Sequence, residues 1–271
     1  MQYYGITPKS FGQLGVQGRQ IKNSNDIGII KVNFLRPYCI AYIDQIILKY
    51  KSNNFKLKST YKEANQYLKQ IGFEFLPEAE DCNCEKYPEE NIIKIKRFKK
   101  DLQKLDEKVG KWIEVNIIKY IPKIDKNLEK NIIENLWEIV YNGIIHGNSK
   151  NGVTLCGQFY PKKNYFEVAF YDCGIGIPTL IKNSNFIRNN LLDSEYIEWA
   201  LQRGTTTKPN YEMGGLGLFF LRKFVNLNRG ALQIISGNGY YGGDDMNTIQ
   251  KTQIKNFLEG TLVNIRVNYK N

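Results

Sequence analysis

A chain of 271 residues that is 42% hydrophobic and 24% charged has the make-up of a folded globular protein, which excludes a disordered tail or a fibrous repeat. No apolar run approaches the roughly 18 residues that a membrane span needs, and the N-terminal stretch lacks a basic region followed by an apolar core, so a cytoplasmic protein without a membrane partner is expected. The net charge of +11 comes mostly from scattered lysines in a chain rich in Ile, Asn and Lys; no aromatic-basic patch or recognition motif stands out, and no nucleic-acid partner is expected.

The first 28 residues are polar and dotted with glycine, which suggests an irregular arm or a short strand leading into the next one. Residues 29–34 (IIKVNF) read as a strand, β-branched and without a breaker, ended by Pro37. Residues 39–53 carry apolar side chains at 39, 40, 43, 46, 47 and 50, which is helical spacing. A short alternating strand at 55–59 and a second helix over 61–73, closed by Gly72, complete a strand–helix–strand–helix unit. The acidic stretch 77–91, with Pro77 and Pro88, is a linker by composition.

Helices are then expected over 102–120 and from 127 or 128 to 145, with Pro122 between them. Strands follow at 153–159 and 165–172. After them come a long polar stretch, a glycine-rich turn, a helix to about residue 227, and strands at 232–236 and 261–267. The five cysteines are irregularly spaced. Cys82 and Cys84 form the one close pair, and no second pair or neighbouring histidine completes a zinc set, so free thiols are expected.

Three segments carry chemistry. On a helical wheel Ile133, Leu136, Trp137, Val140 and Ile144 form an apolar stripe, while Glu138, Asn142 and His146, spaced i, i+4, i+8, point the other way. The strand FEVAFYD ends in Asp172, followed by Gly174 and Gly176. An aspartate there can accept a hydrogen bond from an amine such as that of adenine, and the glycines let backbone approach a flat base. Gly214, Gly215 and Gly217 lead into a helix, an arrangement that aims free N–H groups at one point and suits phosphate.

Taken in order, these segments resemble the GHKL ATPase family of gyrase, heat-shock chaperones, histidine kinases and MutL, from about residue 131 to 267. The resemblance rests on Glu138-x-x-x-Asn142-x-x-x-His146-Gly147, on Asp172-Cys-Gly174-Ile-Gly176-Ile177-Pro178, on Gly214-Gly215-Leu216-Gly217-Leu218, and on Gly260-Thr261 opening the last strand. It implies a two-layer α/β sandwich of the Bergerat type over residues 99–271. It also implies that Asn142 ligates Mg²⁺, that Asp172 reads adenine beside Gly174, Gly176, Ile177 and Thr261, and that Gly214, Gly215, Leu216, Gly217 and Leu218 hold the phosphates of ATP. His146 belongs to the same set. Residues 179–213 would form a mobile lid in which Thr206 and Lys208 reach the phosphates. Glu138 would be the catalytic carboxylate, acting on water or on an attacking side chain. Gly143 stands where the family often has alanine.

Residues 29–75, within an N-terminal unit spanning 1–98, are similar in pattern to the STAS-like anti-sigma-factor-antagonist fold. The serine turn of that family is replaced here by Arg36-Pro37-Tyr38-Cys39. The chain has a single histidine, His146, inside the Glu138 motif, which argues against a sensor histidine kinase acting in cis. The expected function is therefore a Mg-ATP-binding regulator that switches a partner protein. The alternatives are a slow ATPase with Glu138 as base, or a serine/threonine kinase acting on a partner. A homodimer is compatible with the resemblance.

Overall fold

The computed structural model describes residues 27–30, 36–50, 56–59, 62–76, 88–99, 104–184, 190–205, 216–245 and 247–269. Their elements, in chain order, are strand β1 (Ile27–Ile30), helix α1 (Pro37–Tyr50), β2 (Lys56–Ser59), α2 (Lys62–Gln70), β3 (Ile92–Phe98), α3 (Leu105–Asn116), α4 (Lys126–Tyr141), β4 (Val153–Tyr160), β5 (Tyr165–Asp172), α5 (Ile177–Asn183), α6 (Asp193–Ala200), α7 (Gly217–Leu227), β6 (Ala231–Gly242) and β7 (Gln250–Asn268). The fold is mixed α/β. β1 and β2 pair in parallel across α1, and the other strands form a five-stranded antiparallel sheet in the order β3-β4-β5-β7-β6. No helix among the described residues is long and apolar enough to cross a membrane.

Side chains alternate across a strand, and the two faces of the large sheet bury different cores. Phe166, Val168 and Phe170 of β5, with Leu232, Ile234, Val263 and Ile265, pack under α3, α4 and α7. Ala169, Tyr171, Ile235 and Leu262 face the other way and pack with α1 and α2. Because both faces are covered, β4 and β5 are buried almost from end to end. A free-standing two-layer sandwich would leave that second face to solvent; here α1 lies across it.

α1 is a core helix rather than an amphipathic one: Tyr38 and every residue from Ile40 to Ile47 are buried, the polar Asp44 and Gln45 included. A helix apolar on all sides belongs inside a fold, and its buried carboxylate needs a partner. Arg97 of β3 supplies it with two parallel bonds to Asp44, at 2.9 and 2.7 Å, and Thr154 of β4 donates to the same carboxylate at 2.7 Å. β3 falls on the N-terminal side of the division expected at residue 98, yet it is bonded to β4 as an edge strand of the large sheet. Its Ile95 amide also donates to Ile71 O at 2.8 Å, just beyond α2.

Several elements depart from their expected bounds. β6 and β7 run well past 236 and before 261, as a twisted hairpin with register shifts near Gly237 and Gly239. One helix, α6, falls within the stretch 179–213 expected to form a lid, and α5 runs into it. α6 packs on β6 with Tyr196, Ile197 and Leu201 buried, and α5 buries Ile181. Residues 206–215 lie outside the described residues, and with them Thr206, Lys208, Gly214 and Gly215. Cys82 and Cys84 lie outside them too; Cys39, Cys156 and Cys173 are free thiols.

Candidate functional site

Three neighbouring strands change from apolar to polar at the same level of the sheet. Phe166, Val168 and Phe170 share a face with Asp172; Val263 and Ile265 share it with Thr261; Leu232 and Ile234 share it with Ser236. The register sets Asp172 opposite Thr261, and Thr261 opposite Ser236. Ser236 Oγ donates to Gly260 O at 2.7 Å, lies 3.1 Å from Thr261 Oγ1, and accepts from the Ile177 amide at 2.9 Å. It thus fixes the start of α5 to the ends of β6 and β7. Sequence reasoning missed Ser236, although its place in the alternation Leu232–Ile234–Ser236 marks it.

Over this row lies the C-terminal end of α4. Asp125 caps that helix at its start, accepting from the Asn127 and Leu128 amides at 3.0 and 2.9 Å. At its end the α-helix widens into one π turn, Asn142–His146, closed by Gly147 N donating to Asn142 O at 2.8 Å. Such π turns recur at functional sites. The buried stripe is Ile132, Leu136, Ile139, Val140 and Ile144, whereas Ile133 and Trp137, expected within it, are only half-buried. The helix is rotated because its C-terminal end seats directly on the sheet. A methyl group at Gly143 would stand 2.5 Å from Val153 Cγ2 and 3.4 Å from Asp172 Oδ2, which is why glycine occupies that position.

Together these elements enclose a cavity of about 410 Å³, a size suited to a small organic ligand. Of the residues singled out in the sequence, Glu138, Asn142, His146, Asp172, Gly176, Ile177, Leu216, Gly217, Leu218 and Thr261 all line it. Gly174 stands behind them and donates its amide to Asp172 Oδ1 at 2.8 Å. Ile139, Val153, Phe170, Leu180 and Val263 give apolar walls, and Trp199, Tyr141 and Thr205 complete the lining. Trp137 stacks on Tyr141 at 4.9 Å, and Tyr141 meets the His146 ring edge-on at 6.0 Å.

Asp172 is 5% exposed. Burial pushes its carboxyl up from 3.8 to about 7, against the opposing pull of the Gly174 and Thr261 amides and of Lys49. Glu138 sits higher in the cavity and is half-buried. Asn142 donates its side-chain amide to Glu138 Oε1 at 3.0 Å. Gly217, at the start of α7, approaches Glu138 so closely that a methyl group there would lie 1.8 Å from Oε1. A second groove, of about 780 Å³ and walled by Trp137, Phe220 and Leu227, shares Glu138, Gly217 and Phe220 with the cavity, so the carboxylate faces two openings. No group of three or more His, Cys, Asp or Glu side chains that could cage a metal occurs among the described residues.

The sequence matches no protein-family model, and no curated protein matches it.

Proposed function

We propose that this cavity binds ATP with Mg²⁺, within a GHKL-type fold carrying an STAS-like N-terminal unit, and that the protein acts as a nucleotide-dependent switch on a partner protein. One observation carries the reading: a buried, ionisable Asp172 and a hydrogen-bonded Glu138–Asn142 pair line one cavity together with apolar walls. A carboxylate at the floor accepts from the exocyclic amine of adenine. It repels the carbonyl that guanine presents at the same place, and a buried polar group left unpaired makes the discrimination strong.

The residues fit Mg²⁺ in the usual manner of a nucleotide site. That ion takes one or two protein oxygens and completes its shell with phosphates and water, so the lack of a carboxylate cage is no obstacle. The Asn142 side chain gives its nitrogen to Glu138, leaving the amide oxygen as the ligand atom. The bound ion supplies charge neutralisation on the phosphates. The start of α7 at Gly217 turns its first amides towards the same region.

Glu138 takes the proton of an attacking hydroxyl. The oxygen–phosphorus bond to the γ-phosphoryl group forms as the bond to the β-phosphate oxygen breaks, and ADP leaves with that electron pair. The second groove favours an acceptor on a partner protein beside plain hydrolysis, because it gives a side chain its own approach to Glu138. The test uses Mg·ATP labelled at the γ-position, with the wild-type protein and Glu138→Ala. Nucleotide is expected on both, and loss of label from ATP only with wild type, as free phosphate or on a co-purified partner. Equal turnover by Glu138→Ala removes Glu138 from the chemistry, and absence of bound nucleotide on either protein overturns the reading.

A further inference from the structure

A third groove, of about 640 Å³, lies between the end of β3 and the first turns of α3, and it shares no lining residue with the cavity or with the groove at Glu138. Among the described residues its walls hold Lys96, Arg97, Lys99, Lys104, Lys108 and Lys111 against one carboxylate, Glu107. Arg97 is committed to Asp44 and Glu74. The other acid of the first turn of α3, Asp106, accepts from Trp137 Nε1 and lines the groove at Glu138 instead.

Among the described residues no carboxylate lies within ion-pair distance of Lys96, Lys99, Lys104 or Lys111, and all four are exposed. Lys108 and Lys111, at i and i+3 on α3, share one face of the helix, and Lys104, the residue before its first turn, lines the same groove. Lys96, on the edge strand, and Lys99, the residue after it, line the other side. The N-terminus of α3 adds the positive end of its dipole and has no side-chain cap. Two aromatic side chains line the groove with them: Phe98, which is buried, and Trp112, half-buried and held edge-on against Phe98 at 6.1 Å.

Lysines scattered over a surface are a solvated face. Lysines gathered along a concave groove with an aromatic ring in its wall are the arrangement that tracks a phosphate backbone and stacks a base. We propose that this groove binds single-stranded nucleic acid. A volume of this size takes about one or two nucleotides of a single strand, and an aromatic ring in its wall suits unpaired bases, whose faces are open to stacking. Lysine contacts phosphate as a point charge and does not read base edges, so binding is independent of sequence and falls with salt. The site is separate from the nucleotide cavity and does not depend on it.

The test titrates the full chain into a short fluorescent oligothymidylate, followed by anisotropy between about 50 and about 200 mM salt. The triple variant Lys99→Glu, Lys104→Glu, Lys111→Glu is expected to bind at least about tenfold more weakly, with the salt slope flattened by about 2, or about 0.7 for each lost phosphate contact on a single strand. A control triple, Lys150→Glu, Lys162→Glu, Lys163→Glu, changes the net charge equally at exposed positions elsewhere and is expected to stay within about twofold. Trp112→Leu keeps an apolar side chain against Phe98 but removes the stacking ring, and is expected to weaken the oligonucleotide about tenfold. The proposal is overturned if the oligonucleotide does not bind, if the control triple weakens it as much as the groove triple, or if Trp112→Leu leaves binding intact. Tighter capture by phosphatidylserine vesicles than by the oligonucleotide also overturns it, in favour of a membrane surface.

Discussion

Replacing Asp172 by asparagine should make the protein more stable, and more so at high pH. The folded carboxyl titrates near 7 because it is buried, against 3.8 for an ordinary one. The folded state therefore holds this proton more tightly than the unfolded state. Stability from this group is full below the unfolded value, falls as pH rises between 3.8 and 7, and is flat above. At about 1.36 kcal/mol for each pH unit, the difference sets an upper bound of about 4 kcal/mol on the cost of the charge above pH 7. Asparagine keeps an oxygen for the Gly174 amide and cannot ionise, so that cost disappears. Urea denaturation of the two proteins in parallel cancels every other titration. The stability gap should widen in favour of Asp172→Asn by about 2 to 3 kcal/mol between about pH 5 and about pH 8. A gap that is constant with pH, or an asparagine variant that is the less stable at the higher pH, refutes the argument that Asp172 is a charge held in the fold at a cost in stability.

Two further substitutions probe other parts of the account. Gly217→Ala improves the helix propensity of α7 by about 1 kcal/mol but sets a methyl group against the flexible end of Glu138; melting temperature should hold or rise while phosphoryl release falls at least about tenfold, a split read by calorimetry beside a phosphate assay. Arg97→Leu strands the buried Asp44 carboxylate and should cost about 3 to 5 kcal/mol in urea denaturation, with much of the loss recovered when Asp44→Asn is added; no recovery would mean that the pair does not hold α1 to the sheet.

Much of the fold was legible because its signals are local. The alternation in β5 and the polar ends of its neighbours are period-2 patterns, and α7 starts and stops at the glycine-rich entry and near Leu227 as read. Three things were not legible. The placement of α1 depends on a pair, Asp44 with Arg97, whose members are far apart in sequence, and only the sheet brings them together. The rotation of α4 about its axis was not legible either: Ile132 and Ile139 are buried where Ile133 and Trp137 were expected, because a tertiary contact, the seating of the helix's C-terminal end on the sheet, sets which side faces inward. The basic groove is built from β3 and α3, whose lysines look scattered along the chain and converge only when the edge strand and the helix are side by side.

Gly143 is accounted for by the close approach of the Val153 and Asp172 side chains to its Cα: the turn after α4 and the floor of the cavity meet there with no room for a side chain between them. The same contact makes a mutual support of the two halves of the site. Asp172 is shielded from water by the turn that carries Asn142 and His146, and that turn is held by the Gly147 carbonyl accepting from the Ile175 amide at 2.9 Å.

The central claim is that the cavity holds an adenine nucleotide through Asp172, and titration calorimetry with ADP and GDP on the wild-type and Asp172→Asn proteins tests it most directly. ADP should bind the wild type, more tightly as pH rises through about 7 where Asp172 becomes a full acceptor, with GDP at least about a hundredfold weaker and Asp172→Asn losing the pH dependence. Equal binding of ADP and GDP, or an Asp172→Asn protein that takes ADP with the wild-type affinity and pH profile, would contradict it.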